Sequence, residues 1–246
     1  MLVGAERTGT SLLGGLIGSH PDAVYCGELF NPDFLASSTF PEQMRWAPEE
    51  VKAADLRASD PARFLARLVE RAAESGYRAV GSKVLYSHTN CAEGLRDYLA
   101  SARSLRVIHL KRRNLLRRLL SEKRARATGV WWVDAHEARR SPQPRIALDI
   151  VECLQDFSQM EAMQVEHDAL FKDHDVLEMY YEDVAPDPPS AGTRAAEFLG
   201  LDAGKKMMVW SAKTGVDTLD QAIANYSELR EDIEATLLRW GSFFDE

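Results

Sequence analysis

Cysteine is scarce in this chain, and what there is does not pair. Cys26, Cys91 and Cys153 are three among 246 residues, an odd number without framework spacing. That excludes a disulfide-stapled secreted fold and predicts a reducing, cytoplasmic setting. The cysteines and histidines lack zinc-ligand spacing, so no metal is expected. No run approaches the ~20 apolar residues of a membrane span. The chain enters directly into Leu2-Val3 without a basic, long-apolar, cleavable leader. Positive charge is in deficit: 30 Lys and Arg face 38 Asp and Glu, for a net charge of −8. Global attraction to nucleic acid or an anionic membrane is therefore excluded, and any anion site must be a local basic pocket. Internal repeats and low-complexity tracts are also missing.

What is present is a 45% hydrophobic chain of a length that suits one α/β domain over residues 1–246. Strand-like runs at Val24–Cys26, Ala79–Leu85, Arg106–Leu110 and Val176–Tyr181 alternate with helical stripes over 11–19, 61–75, 95–101, 115–120, 145–172, 193–199 and 226–240. Such alternation predicts a mostly parallel sheet with helices on both faces, and a ligand site at the carboxyl ends of its strands. Pro186, Pro188 and Pro189 read as a loop. Residues 33–60 read as a loop with helical pieces, of the kind that often forms a substrate lid. Trp131 and Trp132 either stack on a ligand or pack in the core, the core being the plainer reading. His109 reads as a strand histidine packed under the sheet.

The stretch Val3-Gly4-Ala5-Glu6-Arg7-Thr8-Gly9-Thr10-Ser11 reads as a strand end, a tight turn and a helix start. Small residues let a backbone wrap an anion, and the helix aims its first N–H groups and positive dipole end at the same spot. The spacing nearly repeats the phosphate-loop pattern G-x-x-x-x-G-K-[ST]. Thr10 stands where the lysine belongs, and a cation, Arg7, lies inside the loop instead. In nucleoside triphosphatases that lysine reaches the β/γ-phosphates, so its replacement points to a different terminal anion. The plain alternative is a glycine-bearing turn without a ligand. Lys83 is an anomaly in its apolar strand. A buried ammonium is costly unless it meets an anion, either a ligand group or a carboxylate at the core edge. Glu28 follows the second strand, and the basic cluster Lys111-Arg112-Arg113 ends the strand at 106–110.

Two of these motifs resemble signatures of the sulfotransferases that use 3′-phosphoadenosine-5′-phosphosulfate (PAPS). Arg7-Thr8-Gly9-Thr10-Ser11-Leu12-Leu13 matches the first signature, and the strand before Arg113, with Ser121 eight positions on, matches the second. Ala125-x-x-Thr128-Gly129-x-Trp131, Tyr181-Glu182-Asp183, Phe198-Leu199-Gly200-Leu201 and Ile223-Ala224-Asn225-Tyr226-x-x-Leu229 look most like the bacterial trehalose- and nodulation-factor-type branch. The resemblance implies a phosphate-loop-like parallel sheet and sulfuryl transfer without metal to a hydroxyl of a small-molecule or carbohydrate acceptor, in secondary metabolism. It implies contact of Arg7, Thr8, Gly9, Thr10 and Ser11 with the 5′-phosphosulfate. Arg113 and Ser121 would hold the 3′-phosphate, joined by Lys213 from a basic loop near the end. Lys83 would contact the sulfuryl group. Glu28 is the first candidate for general base, its pKa raised toward neutral by a buried edge. The family's histidine position is Leu85, which leaves His88, three residues on, as the other candidate if the strand ends in a bend. The alternatives are a small-molecule kinase with a degenerate phosphate loop and a nucleotide-binding protein without catalysis. A homodimer is left open.

Overall fold

The computed structural model describes residues 1–33, 54–131, 143–209, 218–236, 240 and 242–244. Its centre is a parallel sheet of β1 (Leu2–Gly4), β4 (Lys83–Leu85), β5 (Arg106–Lys111) and β6 (Asp175–Tyr180), in the order β4-β1-β5-β6. A second parallel pair joins β2 (Ala23–Tyr25) to β3 (Ala79–Gly81). The single strand expected over 79–85 is thus two. Ser82 interrupts it, its carbonyl accepting from Leu2 N–H, while Lys83 N–H reaches Gly27 O. The chain passes from one pair of neighbours to the next within three residues, and Lys83 opens the second part.

Register lines up the carboxyl ends. Gly4 pairs with Leu85 on one side and Leu110 on the other, and Lys111 pairs with Tyr180. The first strand lies inside the sheet, with β4 on one flank and β5 on the other. The connections reverse direction about it, which leaves a crevice at this edge.

Alternating strand residues bury opposite faces. Ile108, Leu110 and Met179 meet Leu13, Leu16 and Ile17 of α1 (Thr10–Gly18) and Ala191, Ala195 and Ala196 of a helix at Pro188–Leu199. Val3, Val84 and Val107 face the other way, onto Phe64, Leu95, Leu116 and Phe157. Those four belong to α3 (Pro61–Glu74), α4 (Leu95–Ser101), α5 (Leu115–Thr128) and α6 (Ile150–Leu170), which follow a short α2 (Ala54–Ser59). After β6 come a one-turn α7 (Tyr181–Val184), α8 (Pro188–Leu199), a one-turn α9 (Leu219–Ala222) and α10 (Tyr226–Thr236). Helices therefore cover both sides of a parallel sheet, as the alternation of patterns predicts.

Helix starts follow their caps. Asp60, Asn114, Asp149 and Asp187 each accept a first-turn N–H through the side chain, which satisfies a donor that has no helical partner. Asp149 explains why α6 begins at 150 rather than near 145. Asp187 corrects the loop reading of Pro188 and Pro189. Proline fits the first turn of a helix, where its missing N–H costs nothing, so the capped helix starts there rather than at Thr193. Among the described residues no helix is long and apolar enough to cross a membrane.

Candidate active site

A cavity of about 630 Å³ opens at the carboxyl edge of the sheet, within the range of ligand pockets. Five stretches and Gln143 line it: Glu6 to Leu12, Glu28 to Asp33, Lys83 to His88, Arg112 to Trp131 and Tyr181 to Val209.

The loop after β1 is held in an uncommon shape. Gly9 has φ 89°, and an added Cβ there would meet the Tyr181 ring at 2.6 Å. At Gly4 a Cβ would lie 2.5 Å from Leu110 O, so only glycine lets β1 run this close to β5. Arg7 is the one non-glycine residue of positive φ, 64°, among those described. A left-handed arginine is strained and persists only where its surroundings fix it. Here Arg112 does so, donating to Arg7 O at 2.9 Å. The Arg7 side chain is held as well: Nε donates to Ser121 Oγ at 3.0 Å, and the guanidinium reaches Trp131 O. Thr8 is buried and spends its hydroxyl on Ala5 O at 2.8 Å, so it braces the loop and does not line the cavity. Thr10 and Ser11 do line it, at the start of a helix that no side chain caps.

Lys83 is 6% exposed. Its ammonium pairs with Glu28 Oε1 at 2.6 Å and donates to Ser11 Oγ at 3.2 Å. The carboxylate it meets is thus the candidate base itself. Asn31 donates to the other oxygen of Glu28 at 2.7 Å. Burial pushes the Glu28 carboxyl up, but the Lys83 charge and these hydrogen bonds outweigh it and hold the group below the usual carboxylate range. The expected rise toward neutrality is therefore reversed, because the sheet edge that buries Glu28 also supplies a cation. The bend needed for His88 exists: Tyr86–His88 form a single 3₁₀ turn directly after β4. His88 lines the cavity, and burial holds its pKa below the usual histidine value, so it is neutral near pH 7.

The sequence model of the Sulfotransferase family matches residues 1–204. The chain belongs to the sulfotransferase family. Nodulation protein H of Rhizobium tropici is 27% identical over 232 residues, spanning 94% of this chain and 87% of that one. The crystal structure of a sulfotransferase from Alicyclobacillus acidocaldarius superposes with a TM-score of 0.54 at 17% identity, covering 99% of this chain and 93% of the other. That likeness extends the α/β fold of the family to nearly the whole chain.

This sulfotransferase brings Arg7, Gly9, Thr10, Ser11, Glu28, Lys83, His88 and Ser121 to one cavity. Arg113 departs from expectation. The helix starts at Leu115, and the Arg113 guanidinium turns outward to a bidentate pair with Asp183, at 2.9 and 2.8 Å, over the Tyr180 ring. Ser121, two turns along α5, faces Arg7 instead. The core reading of Trp131 is also overturned, since Trp131 is 47% exposed at the cavity wall. Lys213 and Trp132 lie outside the described residues.

Arg112, Arg117, Arg124 and Tyr181 also lie on the cavity wall, although the motifs assign none of them a place in the site. A signal existed for two of them. Positions 117, 121 and 124 fall on one face of a helix by the i, i+4, i+7 rule, so Ser121 points to its arginine neighbours. Arg112 lies 4.3 Å over the Tyr181 ring, and its Nε is buried without a partner among the described residues. Burial lowers its pKa to about 10, which leaves it charged. This cationic wall, the uncapped helix start and the Cβ-free Gly9 fit a donor with anionic groups at both ends.

Proposed function

We propose that this sulfotransferase moves a sulfuryl group from PAPS to a hydroxyl of a small-molecule or carbohydrate acceptor. The observation that carries the reading is the hydrogen bond from Arg7 to Ser121, residues 114 apart in sequence. It brings the first signature and Ser121 of the second into one cavity beside the Lys83–Glu28 pair. Bound PAPS supplies the sulfuryl group on a phosphate leaving group. Arg7, the hydroxyls of Thr10 and Ser11 and the first N–H groups of α1 hold the 5′-phosphosulfate. Arginine keeps its charge at any working pH, so Arg7 offsets charge that builds on the leaving phosphate and the sulfuryl oxygens. Thr8 and Gly9 fix the path of the loop. Ser121, with Arg117 and Arg124 on the same helix face, holds the 3′-phosphate, and Arg113 stays with Asp183. Lys83, bonded to both Ser11 and Glu28, bridges the donor loop and the base. Glu28 takes the proton of the acceptor hydroxyl during in-line attack.

One observation favours a second base. Both oxygens of Glu28 are engaged, whereas His88 is neutral and its Nδ1 has no partner among the described residues. The pH dependence of kcat/KM separates the two.

The donor is tested first by melting. Adenosine 3′,5′-bisphosphate raises Tm by several degrees more than AMP at equal concentration, because ligand affinity adds to folding stability. Equal shifts would remove the 3′-phosphate site. Turnover of ATP with Mg²⁺ in place of PAPS would restore the kinase alternative.

A further inference from the structure

A buried polar chain runs from α6 to the turn that carries His88, and sulfuryl transfer does not use it. The Tyr86 hydroxyl lies 2.6 Å from His109 Nε2, and His109 Nδ1 lies 3.1 Å from Asp168 Oδ1. A carboxylate only accepts, so Nδ1 carries the proton, and Nε2 of the neutral ring accepts from Tyr86 O–H. Tyr86, His109 and His167 are 4%, 1% and 1% exposed. The Tyr86 ring stacks on His167 at 4.2 Å. Lys111 binds Asp168 at 2.8 Å and Glu178 at 2.5 Å. The polar and titratable groups that face His109 come from the turn (Tyr86), its own strand (Lys111), α6 (His167 and Asp168) and β6 (Glu178), while β1, paired through Val3, brings none. Burial and the Lys111 charge push the His109 pKa down to about 4, which keeps the ring in the neutral form this geometry requires.

The turn itself is three residues long, and its side chains go three ways. Tyr86 enters the buried chain. Ser87 donates to Glu6 Oε1 of the donor loop at 2.6 Å. His88, only 4% exposed, lines the cavity. One turn of 3₁₀ helix has no internal stability to set its own position, so its side-chain anchors set it.

We propose that His109 is a positioning residue: through Tyr86 it fixes the Tyr86–His88 turn, and so fixes His88 and Glu6 against the cavity. Its kinetic consequence rests on the PAPS reading, but the placement of His88 does not. Tyr86→Phe tests it with the smallest change, since the ring keeps its stack on His167 and loses one hydroxyl. In the wild type, histidine ¹⁵N spectra show His109 as the Nδ1–H tautomer and His88 titrating below 6.5. In Tyr86→Phe the His88 titration moves up toward 6.5. Turnover of PAPS with a mixed pool of sugars and alcohols falls about tenfold, and the Kd for adenosine 3′,5′-bisphosphate stays within twofold. His109→Gln, which keeps an acceptor for the Tyr86 hydroxyl, retains several times the turnover of His109→Ala. A merely structural role would lower Tm in these variants and leave the His88 titration where it was. An Nε2–H tautomer, or a His88 titration unmoved in Tyr86→Phe, overturns the proposal. Absence of PAPS turnover in the wild type would strike the functional reading alone, because both spectroscopic outcomes are read without substrate.

Discussion

Glu28→Gln keeps the size of the side chain and the contact with Asn31 but removes the group that takes a proton. Turnover is expected to fall at least a hundredfold, the lower range for a lost general base, while PAPS affinity stays within a few-fold. A wild-type rate in a stopped assay would take Glu28 out of the mechanism. The pH profile assigns the base. A base must be unprotonated, so a lowered pKa carries the acid limb down with it. With Lys83 holding Glu28 below 4.5, kcat/KM stays level through pH 5 and falls only beneath the ordinary carboxylate value. A limb that sets in between about 5 and 6.5, nearer the free histidine value, assigns the step to His88. The arginines divide as their contacts do. Arg117→Ala weakens adenosine 3′,5′-bisphosphate about tenfold and leaves AMP unchanged by calorimetry, while Arg113→Ala changes neither. His109 adds a stability effect whose sign follows from its lowered pKa. The unfolded chain binds this proton below about 6.5 and the fold resists it until about pH 4. Its contribution is complete above pH 6.5 and is lost as pH falls toward 4, seen as a falling Tm over that window.

At the scale of elements, the loop between β1 and α1 depends on two glycines that tolerate no side chain. Gly9→Ala combines a left-handed backbone, about 1–2 kcal/mol for a residue with a Cβ, with a contact at 2.6 Å on the Tyr181 ring. A Tm lower by several degrees and weakened bisphosphate binding are expected together from melting with and without ligand. This loop is also where the sequence was most readable, because glycine spacing, hydroxyls and a flanking apolar strand and helix specify a local shape. The β5 strand and α3 were readable for the same reason: their periodicity is local. Arg113 was not. Its guanidinium is held by Asp183, 70 positions away, and a spacing rule cannot see a carboxylate on another element. The titration of Glu28 was hidden in the same manner. The residue's position was legible but its titration was not, since Lys83 faces it only once the chain changes sheets at Ser82. The two prolines of α8 were misread because Asp187 caps them into a helix, and a cap outranks a breaker at the first turn.

The whole molecule keeps its charge separated by region. A net charge of −8 coexists with a cavity that gathers Arg7, Lys83, Arg112, Arg117 and Arg124 beside Glu6, Glu28 and Asp33, so positive charge is concentrated in the crevice at the strand ends. In the proposed reaction, neutralisation of the departing phosphate falls to these arginines and the lysine. Activity is expected to be unchanged by EDTA in an assay free of divalent ions, and loss on chelation would point to a kinase-like site. The position of β1 inside the sheet has a consequence for synthesis. The strand that presents the loop of Arg7 leaves the ribosome well before its two flanking partners, which end at residues 85 and 111. Until both have emerged, the nascent loop lacks Arg112 and Ser121 to hold its left-handed arginine, so a growing polypeptide sets this loop late and abruptly.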